Sequence, residues 1–254
     1  MKSITQRILP MTVNDSHIHV GQFNEHYFSP KVICDFLDSV EVDKFAISST
    51  SICGGDVAKA IDDISSVLEI AKERVSPVLW LTPELLNESE ILQTIVEVGI
   101  SWKCIKMHGF HNWTEDKITK AIDIAQQLHI PFLLHTGGRP WCEAGQYYSL
   151  CSTYPQQKFI FAHSRPVEET IMVMKKCPNV WSDTAFTPLE EIALMVNEGL
   201  ADRILWGSDY PIPHLFYKKQ NIREIYLDKM RSLLNLIGAG AFNKITRTNF
   251  NLIL

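Results

Sequence analysis

His17 and His19, separated by one residue, are the first place in this chain where side chains could do chemistry together. In an extended strand alternate side chains share a face, so both imidazoles point the same way and can hold one metal ion. Nine histidines occur in the chain, and a strand histidine is more often a satisfied structural group than a ligand, so the H-x-H pair alone is weak evidence. Weight comes from three further ligand-type side chains, His135, His163 and Asp209, each at the end of another apolar run. Lys106 and His108 end yet another, as K-M-H. Imidazoles and a carboxylate gathered on one side of a sheet suit a divalent ion such as Zn²⁺, and equally Mn²⁺ or Fe²⁺.

The elements that must position these groups can be read from the same sequence. Short runs rich in β-branched and aromatic residues recur at 11–19, 44–48, 75–81, 104–109, 131–136, 158–163, 179–183 and 203–209. Their composition is that of strands buried on both faces, as in a parallel sheet. Segments with helical spacing lie between them at 30–40, 57–71, 115–128, 167–174, 188–196 and 221–237, the third opening on a Thr-Glu-Asp cap. Eight strands alternating with helices, at roughly 27 residues per unit, predict a single (β/α)₈ TIM barrel over residues 1–254, with the active site at the C-terminal strand ends. A doubly wound open sheet is the alternative, but no G-x-G-x-x-G follows the first strand. Strand alternation would send Val13, Asp15, His17 and His19 inward, with Leu133 and His135, with Phe159, Phe161 and His163, and with Leu205, Gly207 and Asp209.

Composition bounds the partners. The formal charge is −5 and the pI about 6.0, which leaves no broad basic surface for nucleic acid. No stretch approaches the ~18 apolar residues of a membrane span, and polar residues interrupt the first twenty positions too soon for a leader core. Six cysteines are scattered without a C-x-x-C pair, which argues against disulfide scaffolds and zinc ribbons and predicts a reducing, cytoplasmic setting. The loop 136–148 carries three glycines with Arg139, Trp141 and Tyr147. It could orient an anionic or planar ligand over the barrel mouth, or pack as an ordinary βα loop. His111, Trp113 and Arg165 sit near the same rim, whereas His26, His129 and His214 have no such placement.

Four motifs then carry a resemblance: DSHIH near the N-terminus, HTG after the fifth run, AHS after the sixth and GSDYP after the eighth. In that order and spacing they resemble the amidohydrolase superfamily, most closely its amidohydrolase 2, or amidohydrolase-related, branch. The final TNFNLIL resembles that branch's closing helix. The resemblance implies metal ligation by His17, His19, His135 and Asp209, with one divalent ion per chain. Asp209 would also relay a proton, and His163 would face the substrate as acid, base or polarising group. Some superfamily members carry a carboxylated lysine at the fourth strand, bridging two metals. The amidohydrolase 2 branch resembles a mononuclear site, which leaves Lys106 for substrate contact.

The leading functional reading is a metal-dependent hydrolase, in which metal-activated water attacks an amide, ester or lactone of a small carboxylated substrate. Lys106, His108 and Arg139 are the candidate substrate contacts. A decarboxylase on the same barrel is the alternative, since the same branch contains both. A phosphoesterase or nuclease fits less well, because such relatives usually carry a glutamate where this chain has Lys106. A barrel that binds metal without turnover is the remaining class. Analogy with the family makes a homodimer the expected assembly.

Overall fold

The computed structural model describes residues 11–217 and 220–254; residues 1–10, half of the segment read above for a leader core, lie outside them. Nine strands form one sheet: β1 (Val13–Phe23), β2 (His26–Phe28), β3 (Val42–Ser49), β4 (Val75–Leu81), β5 (Cys104–Met107), β6 (Phe132–His135), β7 (Phe159–Ala162), β8 (Val180–Asp183) and β9 (Ile204–Leu205). Their order is β2-β1-β3-β4-β5-β6-β7-β8-β9. Every neighbouring pair is parallel except β1 and β2, which form a hairpin. All eight expected runs contain a strand, and the short β2 was not foreseen.

The sheet curls so that the chain beyond β9 returns to β1. The Ser16 amide donates to the Trp206 carbonyl at 2.8 Å, His19 N–H to Tyr210 O at 2.8 Å, and Asp209 N–H to His17 O at 2.9 Å. The eighth run leaves regular strand geometry after Leu205, yet these bonds keep its later residues against β1.

The helices are α1 (Pro30–Ser39), α2 (Val57–Ala71), α3 (Ser89–Glu97), α4 (Glu115–Gln127), α5 (Tyr148–Thr153), α6 (Val167–Lys176), α7 (Leu189–Asn197), α8 (Pro213–Phe216), α9 (Ile222–Asn243) and α10 (Asn249–Ile253). Local chemistry sets several of their ends. Ser29 caps α1 by accepting the Val32 amide, with Pro30 in the first turn, where its missing N–H costs nothing. Asp56 caps α2 through the Lys59 amide at 2.9 Å. Thr114 precedes α4, but its side chain makes no capping bond. Within α9, Gly238 takes φ 75°, the left-handed turn that ends the helical stretch where the apolar stripe of 221–237 also ends. Four helices escaped the periodicity: the short α8 and α10, α3, which buries only Leu92 and Ile95, and α5, which buries only Cys151.

Apolar side chains divide between the two faces of the sheet. The larger cluster joins strand residues such as Ile47, Ile105, Phe132 and Val180 to helix residues such as Leu37, Val67, Ile122 and Val173. The smaller takes Ala46, Val78, Cys104, Leu133, Ile160, Ala162, Trp181 and Leu205 from successive strands, joined by Phe250 and Ile253 of α10. This is the concave face, and it corrects part of the expected register. Val13, Phe159 and Phe161 pack in the helix-side cluster, while Ile160 and Ala162 face the concave side. His163 still reaches the concave side because the chain leaves the extended conformation there, with φ 74° at His163 and 52° at Ser164. In β1 the pairing with β3 shifts between Val13 and Asp15 and again between Asp15 and Ile18, so parity cannot be extrapolated from the histidines back to Val13. No helix among the described residues is long and apolar enough to cross a membrane.

Candidate active site

Two residues beyond the concave apolar layer most strands carry a polar or aromatic side chain, while β7 keeps Ala162 there. Ala46 is followed two residues later by Ser48, Val78 by Trp80, Cys104 by Lys106, Leu133 by His135 and Trp181 by Asp183. Leu205 is followed by Gly207, and only glycine fits there. A β-carbon on Gly207 would lie 2.9 Å from the His17 Cβ and 3.3 Å from the Asp183 Cβ.

The centre of this layer is a buried set. His17, His19 and Asp209 are 3%, 4% and 6% exposed, and one donor atom from each lies within 4.8 Å of the others. Asp209 Oδ1 stands 3.0 Å from His19 Nε2 and 3.4 Å from His17 Nε2. The other ring nitrogens are engaged behind: His17 Nδ1 with Asp183 Oδ2 at 2.8 Å and His19 Nδ1 with Ser48 Oγ at 3.0 Å. That engagement turns both Nε2 lone pairs toward the centre. Asp183 is fully buried, and its Oδ1 accepts the amides of His163 and Ala185, each at 2.9 Å.

Lys106 Nζ lies where the two lone pairs converge, 2.8 Å from His17 Nε2 and 3.1 Å from His19 Nε2. It also sits over the Trp80 ring at 4.4 Å. Burial pushes its ammonium down to about 8, with Asp209 and Asp183 pulling the other way. Burial likewise favours neutral imidazoles: His19 falls to about 4, helped by Lys106, His163 to about 3, and His135 to about 2. Burial alone would raise Asp209, but the His17 and His19 imidazoles outweigh it and hold the carboxyl well below the usual range. Neutral imidazoles and an ionised carboxylate are the states in which these groups bind a divalent cation.

His135 is not in the same close trio. Its ring stacks on His108 at 4.0 Å and meets His163 edge-on at 4.7 Å. A second trio, His17, His163 and Asp183, also brings its donor atoms within 4.8 Å. His163 directs Nδ1 to the Ala185 carbonyl at 3.1 Å, which leaves Nε2 free.

A cavity of about 490 Å³ opens above the set, lined by His19, Lys106, His108, His135, His163 and Asp209 together with aromatic side chains. Arg165 also lines it, with its guanidinium 5.8 Å over the Phe186 ring and its stem packed where any side chain on Gly137 would go. Arg139, by contrast, is exposed and lies over Phe110 and Trp141 at 5.6 and 5.8 Å, outside the lining. In the same loop Tyr147 donates to the His135 carbonyl at 3.1 Å and Trp141 Nε1 to the Gly109 carbonyl at 3.0 Å, so its aromatics buttress strand ends.

Sequence reasoning did not single out Asp183 or Trp80 as site residues. Asp183 ends the seventh run as Asp209 ends the eighth, so the signal was its position. It pairs with His17.

Comparison with known proteins fits this architecture. Residues 105–230 match the family model described as amidohydrolase, which bears out the resemblance to the amidohydrolase 2 family carried by the four motifs. No curated protein sequence matches it. Among solved structures, a probable 2-pyrone-4,6-dicarboxylic acid hydrolase from Acinetobacter baumannii, with citric acid bound, aligns at TM-score 0.68 and 12% identity over 96% of this chain and 99% of that one. A dihydroxybenzoic acid decarboxylase from Polaromonas, with bound manganese and the inhibitor 2-nitroresorcinol, aligns at TM-score 0.65 and 13% identity, covering 95% and 96%. The 4-oxalomesaconate hydratase of Rhodopseudomonas palustris aligns at 0.64 and 12%, covering 95% of each chain. At these identities the likeness speaks for the fold.

Proposed function

We propose that the chain is a single-domain (β/α)₈ barrel and a metal-dependent hydrolase acting on an amide, ester or lactone of a small carboxylated compound. The observation that carries this is the buried trio His17, His19 and Asp209 facing a cavity that also holds Lys106 and Arg165. Two Nε2 lone pairs, with the Asp209 carboxylate beside them, already converge on a positive charge, the Lys106 ammonium, so the donor set suits a cation. His17, His19 and Asp209 would hold one ion, Zn²⁺ before Mn²⁺ or Fe²⁺, and His135 would complete the set from β6. Such an ion supplies an acidified water and polarises the oxygen under attack.

The chain's own groups would do the rest. Asp209, ionised and at the cavity floor, would accept the proton of the attacking water and return it to the leaving group. His163 Nε2 would hydrogen-bond the reacting oxygen. Lys106 and Arg165, with His108 beside them, would bind the substrate carboxylate, and the aromatic wall would exclude water. Arg139 would act from the rim through Phe110. The 2-pyrone-4,6-dicarboxylic acid hydrolase and the decarboxylase that share the fold suggest an anionic, planar substrate, and a decarboxylase is the second reading because both chemistries use a metal and a cationic clamp.

Metal content and turnover test this together. The protein should carry about one equivalent of transition metal, and His17→Ala should lose most of it. His163→Ala should keep the metal but lose roughly a hundredfold or more in turnover. Acid release from a panel of lactones, against CO₂ release from aromatic carboxylates, separates the two readings. Metal-replete protein active on neither panel, or His17→Ala with unchanged metal, would overturn the assignment.

A further inference from the structure

A second cavity, of about 350 Å³, lies beside the first and shares Phe186 and Tyr217 with it. Its wall is formed largely by aromatic and aliphatic side chains, among them Phe36, Trp206, Tyr210, Leu189 and Ile225, with Lys229 set among them. The other polar groups of this wall are mostly spent inside the protein. Thr187 Oγ1 donates to the His163 carbonyl at 3.0 Å, and Ser208 Oγ accepts the Tyr210 amide at 3.1 Å. The Tyr226 hydroxyl donates to Asp15 at 3.2 Å and accepts from Trp206 Nε1 at 2.8 Å.

Lys229 is different. An ammonium carries three donors, and its one hydrogen bond is a long one, 3.4 Å to the Thr184 carbonyl. The Trp206 ring lies 5.5 Å away, and no carboxylate among the described residues forms an ion pair with it within 4 Å. Burial pushes it down to about 8 while distant Asp183 and Asp15 pull upward, so the surroundings hold a cation without supplying an anion at contact distance. A cation with spare donors at the side of an apolar chamber is matched by a ligand with one anionic end and an apolar body.

We propose that this chamber is a binding site for a small monocarboxylate with an aromatic or aliphatic body, its carboxylate on Lys229 and its body between Phe36, Tyr210 and Ile225. The site is separate from the reaction centre and does not depend on the reaction assigned there. The rival explanation is that Lys229 only offsets the field of Asp15 and Asp183, which predicts no ligand.

Calorimetric titration with 3-phenylpropionate and its neutral amide distinguishes the two. The unmodified protein and Lys106→Met should both bind the acid, the latter showing that the reaction centre is not the site. The amide should bind roughly tenfold or more weakly, the loss expected for one charge-assisted contact. Lys229→Met should weaken the acid by a similar factor, Lys229→Arg should retain it, and Ile225→Trp, which fills the chamber, should abolish it. No binding of the acid, equal binding of acid and amide, or affinity unchanged in both Lys229→Met and Ile225→Trp would overturn the proposal. The acid-to-amide comparison is decisive in Lys106→Met, where the carboxylate clamp of the reaction cavity is weakened, and it decides there even if a Lys229 or Ile225 variant fails to fold.

Discussion

Asp183 touches no open space, yet three parts of the site depend on it. One carboxylate oxygen stands at hydrogen-bond distance from His17 Nδ1, 2.8 Å, and the other accepts the amides of His163 and Ala185. An amide in its place would retain a similar shape but lose the negative charge and one acceptor. Asp183→Asn should therefore fold, while its metal affinity falls by roughly ten- to a hundredfold, as for other partners of ligating histidines; competition with a chromophoric chelator measures this. Gly207 acts on the same pair by size. Gly207→Ala would bring a methyl against the β-carbons of His17 and Asp183, and the seam between β1 and the chain after β9 has little slack. A loss of about 1–3 kcal/mol in urea unfolding, with weakened metal binding, is the expected result. An unchanged midpoint would mean that the backbone there yields easily.

At the scale of elements, the β1–β2 hairpin and the turn after β3 are held by one buried carboxylate. Asp63, on α2, accepts from Ser49 Oγ at 2.9 Å, Ser51 Oγ at 2.7 Å and the Tyr27 hydroxyl at 2.8 Å, and pairs with Lys59 at 3.1 Å. Phe23 and Thr50, which these segments carry, line the reaction cavity. Removing the acceptor strands several donors at once, so Asp63→Ala should cost roughly 3 kcal/mol and Tyr27→Phe about 1 kcal/mol, read from denaturant midpoints. None of this was legible in the sequence, because Asp63 looks like any polar position on an amphipathic helix and its partners lie on other elements. What was legible follows from short-range periodicity: the eight strand runs and the stripes of α1, α2, α4, α6, α7 and the first part of α9. The histidines at strand ends could be found because position along a strand predicts height in the site. Facing was read correctly for Leu133 and His135 within regular β6. It failed for Phe159 and Phe161, because it was counted back from His163, where the backbone has already turned to positive φ. Arg139 and Arg165 could not be told apart by sequence, since both follow glycine- or serine-containing turns. Only the packing of Arg165 across Gly137 brings it into the cavity.

Over the whole molecule, the concentration of buried titratable groups couples the site to folding. His19, His135 and His163 titrate at about 4, 2 and 3 in the folded chain, against an ordinary imidazole value near 6.5. As the pH falls below about 6.5 the unfolded chain takes up protons that the folded chain refuses, so each imidazole removes stability down to its own folded value. Asp183, held at about 2 by the His17 imidazole against the effect of burial, adds stability that is present above its ordinary value of 3.8 and lost as the pH falls toward 2. Asp15 runs the other way: burial raises it to about 6, so its contribution is present at low pH and lost as the pH rises through 6. Between about pH 4 and 6 these imidazoles, with those of His108, His111 and His214 lowered by burial in the same way, oppose the raised carboxyls of Asp15 and Glu191, and the balance favours loss of stability on acidification. Metal-free protein, kept so by chelator, should therefore show a urea midpoint that falls steadily from pH 7 to pH 5. His163→Ala should flatten that slope by removing one of these imidazoles, whatever it does to the absolute midpoint. A midpoint that stays level or rises toward pH 5 would show that the three histidines are not held neutral by their burial, and the same premise underlies their fitness as ligands.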